Sequence, residues 1–203
     1  MRPQAPAKAR PEIKPAVRGG PAREVRLIGG QWKRSKLPVA DRPGLRPTPD
    51  RVRETLFNWL GQDLAGWRCL DAFAGSGALG FEAASRGAAE VLLLERDAVL
   101  ANSLRASQAR LNAETLRVET TDALAWMARC APSCFELVLL DPPFDSALLP
   151  RALALAAPLV VDAGLLYVES AAALADPDLP AGFALMRHGR AGLVHYHLLR
   201  RSS

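Results

Sequence analysis

From Trp67 onward the apolar residues fall into short continuous runs, and stretches of helical periodicity separate them. The runs Cys69-Leu70-Asp71-Ala72-Phe73, Val91-Leu92-Leu93-Leu94, Leu116-Arg117-Val118, Phe135 to Leu140 and Leu165-Leu166-Tyr167-Val168 read as strands. Ala78 to Arg86, Asp97 to Leu111, Ala123 to Cys130 and Leu148 to Leu159 read as the helices between them. Runs that are apolar at every position belong to strands covered on both faces, so the alternation predicts a mostly parallel sheet between helical layers. Two more strands, near Phe183 to Arg187 and Leu193 to Leu199, flank a Gly189-Arg190-Ala191-Gly192 turn with no helix between them. They predict an antiparallel hairpin at one edge of a seven-stranded α/β sheet.

Upstream the pattern changes. Val25-Arg26-Leu27-Ile28 and Gln31 to Val39 read as two short strands about a Gly29-Gly30 turn. Val52, Leu56, Phe57, Trp59 and Leu60 form one face of a helix, with Thr48 as its N-cap, Pro49 in its first turn and Asp50 at its positive end. Residues 1–24 hold five prolines and few large apolar residues, which predicts a disordered tail that cannot bury a core. The expected organisation is therefore a tail (1–24), a basic hairpin and helix serving as an RNA-binding appendage (25–60), and a catalytic domain (61–203).

Charge adds a partner. Residues 1–55 carry 14 of the 26 Lys and Arg but only 5 of the 21 Asp and Glu, so the rest of the chain is mildly acidic. A basic first quarter on an acidic body suits a polyanion gripped by one part and worked on by the other. Lys33, Arg34 and Lys36 surround Trp32 in the hairpin, a mixture of phosphate-binding cations and a ring that can stack on a base. Trp32 serves equally well to pack the hairpin onto the body. Arg51 and Arg53 lie off the apolar face of the helix and are free to meet phosphate or an acid; Arg26 and Arg46 complete the candidate nucleic-acid surface. No run of 18 apolar residues is present, so no membrane span is expected. Three cysteines, Cys69, Cys130 and Cys134, match neither a disulfide framework nor a zinc site, which points to a cytoplasmic chain with reduced thiols.

In open α/β sheets ligands bind at the carboxyl ends of the strands. The first such end reads Asp71-Ala72-Phe73-Ala74-Gly75-Ser76-Gly77-Ala78-Leu79-Gly80, whose glycines let backbone approach a ligand closely or simply pack helix on strand. Glu95, at the second end and 20 residues beyond Gly75, is placed to accept from ribose hydroxyls. Asp122 and the backbone N–H of Ala123, at the third, suit an adenine edge. An adenosine cofactor follows. Asp71 ahead of the glycines favours a sulfonium cofactor without phosphates, S-adenosylmethionine, over a nicotinamide dinucleotide. The fourth end, Asp141-Pro142-Pro143-Phe144, suits a clamp on an exocyclic base amine. Such a nitrogen is a poor nucleophile because its lone pair is delocalised, so its N–H groups must be held by acceptors. Asp141 supplies a carboxylate, Pro142 a carbonyl fixed by Pro143, and Phe144 a ring to stack on the base.

These residues resemble the [D/N/S]-P-P-[Y/F/W] amino-methyltransferases of the class I S-adenosylmethionine-dependent, Rossmann-like fold. More narrowly, Arg26 to Lys33, Leu45 to Thr48 with Asp50 to Leu60, Leu70 to Gly80 without Ala72, and Asp141 to Phe144 resemble the bacterial RsmD-type family. The resemblance covers residues 25–200. It implies methyl transfer to the N2 amine of a guanine in 16S ribosomal RNA, within the small ribosomal subunit; separately, a monomer is expected. It assigns base-holding to Asp141, Pro142 and Phe144, and cofactor binding to Asp71, Gly75, Gly77, Glu95 and Asp122; Phe73, Ala74, Ser76 and Ala123 line the same loops.

Rival readings are a DNA adenine-N6 or cytosine-N4 methyltransferase, which would need a target-recognition region the chain has little length for, and a non-catalytic RNA-binding assembly factor. A nicotinamide oxidoreductase would leave the basic quarter and the proline clamp without a role. Attack on cytosine carbon 5 would need a cysteine beside the Asp141 loop, and Cys130 and Cys134 precede that strand instead. His195 and His197 share one strand face with no evident third ligand, so no metal is expected.

Overall fold

The computed structural model describes residues 23–40, 42, 48–143 and 148–202. Residues 1–22 of the expected tail, Arg46 and Phe144 lie outside the described residues; Arg23 and Glu24 already belong to the first strand. The strands are β1 (Arg23–Arg26), β2 (Lys36–Val39), β3 (Arg68–Asp71), β4 (Glu90–Glu95), β5 (Leu116–Thr120), β6 (Phe135–Leu140), β7 (Val160–Ser170), β8 (Phe183–Ala191) and β9 (Val194–Arg201). The helices are α1 (Asp50–Leu60), α2 (Ala78–Ser85), α3 (Ala98–Leu111), α4 (Ala123–Met127) and α5 (Leu148–Ala156).

The main sheet has seven strands in the order β5-β4-β3-β6-β7-β9-β8. The first five run parallel, and the β8–β9 hairpin closes one edge antiparallel to β7. This is the class I methyltransferase architecture. Alternation along each strand feeds two cores. Cys69, Leu93, Leu137, Leu139 and Tyr167 point into a cluster shared with α1, α2 and α3. Leu70, Leu92, Leu94, Val138 and Leu140 point into a second cluster beneath α4 and α5. The order reverses between β3 and β6, which opens a crevice at their carboxyl ends.

Three boundaries differ from the sequence reading. The Gly29-Gly30 pair is not the hairpin turn: β1 pairs with β2 from Arg26 opposite Lys36, and residues 27–35 make the connection. Gly30 (φ +70°) instead lies flat on the end of α2, where a Cβ would come within 1.8 Å of the Ser85 carbonyl oxygen. The edge strands run further than expected, and the reversal is the tighter Gly192-Leu193. β7 starts at Val160 because a bulge, with Ala163 at φ +59°, lets the polar interruption at 162–164 pass without ending the strand. The N-terminal hairpin buries Val25, Leu27, Leu37 and Val39 in the same cluster as Leu56 and Phe57 of α1, and so shares the core of the main sheet. Among the described residues no helix is long and apolar enough to cross a membrane.

Candidate active site at the carboxyl edge of the sheet

Each of the five parallel strands delivers a carboxylate at or next to its carboxyl end. β3 ends in Asp71, β4 in Glu95, β5 is followed by Asp122, β6 is followed at once by Asp141, and Glu169 is the penultimate residue of β7. The sequence reading placed the first four on one edge, and the topology brings them there together.

Asp71 is buried and accepts the Gly80 N–H at 3.0 Å and the Phe73 N–H, so its carboxylate folds the loop between β3 and α2 around itself. Burial pushes its pKa up to about 7, against the pull of the Gly80 N–H, and the Glu95 charge adds to the rise. Within that loop Gly77 (φ +79°) precedes α2; a Cβ there would stand 2.6 Å from Leu104. Half-buried Glu95 spans the loop from the other side: Oε2 accepts the Gly75 N–H at 2.9 Å and Oε1 the Asp97 N–H at 2.8 Å. Phe73 and Gly75 are half-buried, whereas Ala74, Ser76 and Ala123 are buried. Asp122 is exposed and caps α4 through the Ala125 N–H at 2.8 Å. Each of these carboxylates keeps further lone pairs for a ligand's hydroxyl or amine.

Loop residues 72–77 contain no cation. Asp71 and Glu95 bracket that loop, an environment that favours a ligand carrying positive charge, such as the sulfonium of an adenosine cofactor. The residues present fit S-adenosylmethionine.

Half-buried Asp141 and buried Pro142 stand at the end of β6, beside the switch point. The pKa of Asp141 is raised well above the ordinary carboxylate range by burial, then by the charges of Glu169 and Asp71. Pro142, Pro143, Leu149, Leu153, Glu169 and Leu174 line a cavity of about 600 Å³ beside it.

Two residues of this site, Thr48 in this role and Glu169, were missed in the sequence. Thr48 makes no side-chain cap to α1; its hydroxyl lies beside the carboxylates of Asp141 and Glu169 and favours their ionised forms, and Pro49 is the N-cap. Glu169 is buried, accepts the Tyr167 hydroxyl at 2.9 Å, and has its pKa raised by burial against the pull of Tyr167 and Thr48. Reading the end of β7 by the rule used for the other strands would have found Glu169; the partnership with Thr48 leaves no local signal.

The candidate nucleic-acid residues divide. Lys33, Arg34 and Arg51 are exposed. Arg26 is exposed and 3.8 Å from Asp50, and Lys36 is exposed and pairs with Glu24 at 2.6 Å. Trp32 is half-buried against the core, the packing reading of that residue. Arg53 is a correction: it is fully buried, paired with Glu82 at 3.1 Å and hydrogen-bonded to the Thr48 and Arg26 carbonyls, so it cannot reach a phosphate. Cys130 and Cys134 sit at the amino end of β6, a strand's length, about 20 Å, from Asp141. His197 is buried, accepts the Leu174 N–H through Nε2 at 3.1 Å and stacks on His188 at 4.7 Å.

A family model described as Conserved hypothetical protein 95 matches residues 25–200. The Ribosomal RNA small subunit methyltransferase D of Escherichia coli (strain K12) is 44% identical over 182 residues, covering 89% of this chain and 91% of that protein. The protein of the same name from Haemophilus influenzae is 40% identical over 182 residues, covering 86% and 93%. Among solved structures, yhhF from Escherichia coli has a TM-score of 0.79 at 41% identity over 88% of this chain and 98% of that one. TrmN from Thermus thermophilus, at 21% identity and a TM-score of 0.63 over 75% and 48%, is alike in fold. With the model matched from 25 to 200 and relatives of this identity, the chain belongs to the Conserved hypothetical protein 95 family, the RsmD-type methyltransferases of the class I fold.

Proposed function

We propose that the protein transfers a methyl group from S-adenosylmethionine to the exocyclic N2 amine of a guanine in the 16S RNA of the small ribosomal subunit. The observation that carries this reading is the row of carboxylates at the sheet edge, continued into Asp141-Pro142 at the switch point. Relatives named small subunit ribosomal RNA methyltransferases support the substrate class. The exposed cations Lys33, Arg34 and Arg51 support a polyanion as partner.

When bound, S-adenosylmethionine supplies a methyl group whose bond to sulfur breaks with the electron pair retained by sulfur. Asp71, Gly75, Gly77, Glu95, Asp122 and Ala123 hold it, with Phe73, Ala74 and Ser76 completing the loops. Asp141 and the Pro142 carbonyl hold the two amine hydrogens, which turns the nitrogen lone pair out of the ring plane and toward the methyl group. As the carbon–nitrogen bond forms, nitrogen releases one proton. The raised pKa of Asp141 suits its carboxylate to take that proton and pass it to solvent. Phe144 stacks on the base in this reading. Positioning and preorganised acceptors supply the rate enhancement.

The test is tritiated methyl transfer to small subunits from cells that lack the protein, with digestion to nucleosides and chromatography. Label in N2-methylguanosine that disappears in Asp141→Ala, while calorimetric cofactor binding persists, is the expected result. Label in another nucleoside, or no label on subunits or naked RNA, would sink it.

A further inference from the structure

β6 and β7 are parallel neighbours, with Leu139 opposite Tyr167 and Leu140 opposite Val168. The next step of that register sets Asp141 opposite Glu169, two residues on from a pair that faces one core. Adjacent strands lie about 4.8 Å apart, so the two carboxylates leave the sheet edge side by side. Glu169 lines the same cavity as Pro142. It is only 3% exposed, and its carboxylate is steadied by the Tyr167 hydroxyl on Oε1 and by Thr48. The Thr48 hydroxyl lies beside both acids and favours their ionised forms.

Two adjacent anionic acceptors call for two adjacent donors. Guanine presents them: the N2 amine and, next to it on the same edge, N1–H. Adenine and cytosine present an amine beside a bare ring nitrogen, whose lone pair a carboxylate repels. We infer that Glu169 is the residue that selects guanine, accepting N1–H while Asp141 accepts the neighbouring N2 amine. This rests on the amine-methylation reading above and adds the reason for the choice of base. Burial raises the pKa of both acids, the Glu169 charge raises that of Asp141 further, and base donors relieve that repulsion. Tyr167 and Thr48 are positioning residues: they orient Glu169 and do not touch the base.

The experiment uses small subunits reconstituted with 16S RNA carrying either guanosine or 2-aminopurine riboside at the position the wild-type enzyme labels. 2-Aminopurine keeps the N2 amine but offers a lone pair at N1. Wild type is expected to prefer guanosine in kcat/KM by roughly ten-thousandfold, the scale on which sites built for a substrate N–H reject an analogue lacking it. Glu169→Gln, whose amide can donate to that lone pair, is expected to bring the preference within about tenfold, with cofactor affinity unchanged. A merely structural Glu169 would lower both rates together and leave the preference intact. Wild type that methylates both nucleosides equally, or a Gln variant with the wild-type preference, overturns the Glu169 assignment while guanine methylation stands. Wild type that labels no guanosine overturns both.

Discussion

The guanidinium of Arg53 and the carboxylate of Glu82 meet at 3.1 Å with neither side chain exposed to solvent. Around that pair three segments are tied. Glu82 Oε2 also accepts the Ile28 N–H of the hairpin connection, Arg53 Nη2 donates to the Arg26 carbonyl and to Asp50, and Arg86 donates to Glu82 Oε1 at 2.8 Å. The N-terminal hairpin, α1 and α2 thus meet at one buried charge cluster. Truncating one partner strands the other in the core. Arg53→Ala is therefore expected to cost about 3–5 kcal/mol in urea unfolding, whereas Arg53→Met with Glu82→Leu should cost less but still a measurable amount, because buried Arg86 then loses its Glu82 partner. Equal losses in the single and double variants would contradict this account.

Gly80 faces Asp71 across the first loop. A Cβ at Gly80 would stand 2.8 Å from Leu93 Cδ1 and 3.0 Å from Asp71 Oδ2. Gly80→Ala must therefore push Leu93 or swing the Asp71 carboxylate off the loop. We expect a loss of about 1–3 kcal/mol from overpacking and a weakened affinity for S-adenosylmethionine, measured by denaturation and calorimetry on the same protein. Stability lost with cofactor affinity intact would assign Gly80 to packing alone.

Asp71 gives the fold a pH signature. Its folded pKa of about 7 lies above its unfolded value, so folding takes up a proton between roughly pH 4 and 7. An acid raised in this way costs stability as pH climbs through that window. Asp71→Asn keeps an acceptor for the Gly80 N–H but cannot ionise. The variant should be more stable than wild type at pH 8, by up to about 4 kcal/mol, and the gap should close toward pH 4. Cofactor binding should run the other way. The sulfonium favours ionised Asp71, so wild-type affinity should strengthen by up to about tenfold from pH 6 to pH 8 and flatten in the variant. Urea midpoints and calorimetry at the pH extremes check both signs.

These residues also show where sequence legibility stops. Asp71, Glu95, Asp122 and Asp141 stand at strand ends, and strand ends are readable because burial on both faces makes the strands continuous apolar runs. Arg53 is not readable: the helical period put it off the apolar stripe, but Glu82 lies 29 residues away, and the burial exists only once α1 crosses α2. Thr48 fails for the opposite reason. Its local signal, a threonine ahead of a proline and an acid, is that of a helix cap, and a tertiary contact with Asp141 and Glu169 overrides it. The Gly29-Gly30 pair looked like a turn because glycine serves equally for a turn and for backbone laid against a helix end; the Gln31 N–H to Ser85 carbonyl bond at 2.7 Å shows the second use.

The exposed cations make a prediction about salt that the buried one does not share. Lys33, Arg34 and Arg51 lie on the outside of the hairpin connection and α1, and Thr48, just ahead of α1, reaches the Asp141 carboxylate. A polyanion crossing that surface therefore passes close to the clamp. Each phosphate contact on a duplex lowers the slope of log affinity against log salt by about 0.9, and on a single strand by about 0.7. Lys33→Ala, Arg34→Ala and Arg51→Ala should each weaken binding to small-subunit RNA and make that slope shallower by roughly one contact, without changing cofactor affinity or the nucleoside labelled. Arg53→Met should leave the slope unchanged in the fraction that folds, because its charge is spent on Glu82. Fluorescence titrations across a salt series separate the two behaviours. If none of the three exposed variants moves the slope, the polyanion crosses another face and the basic first quarter needs a different account.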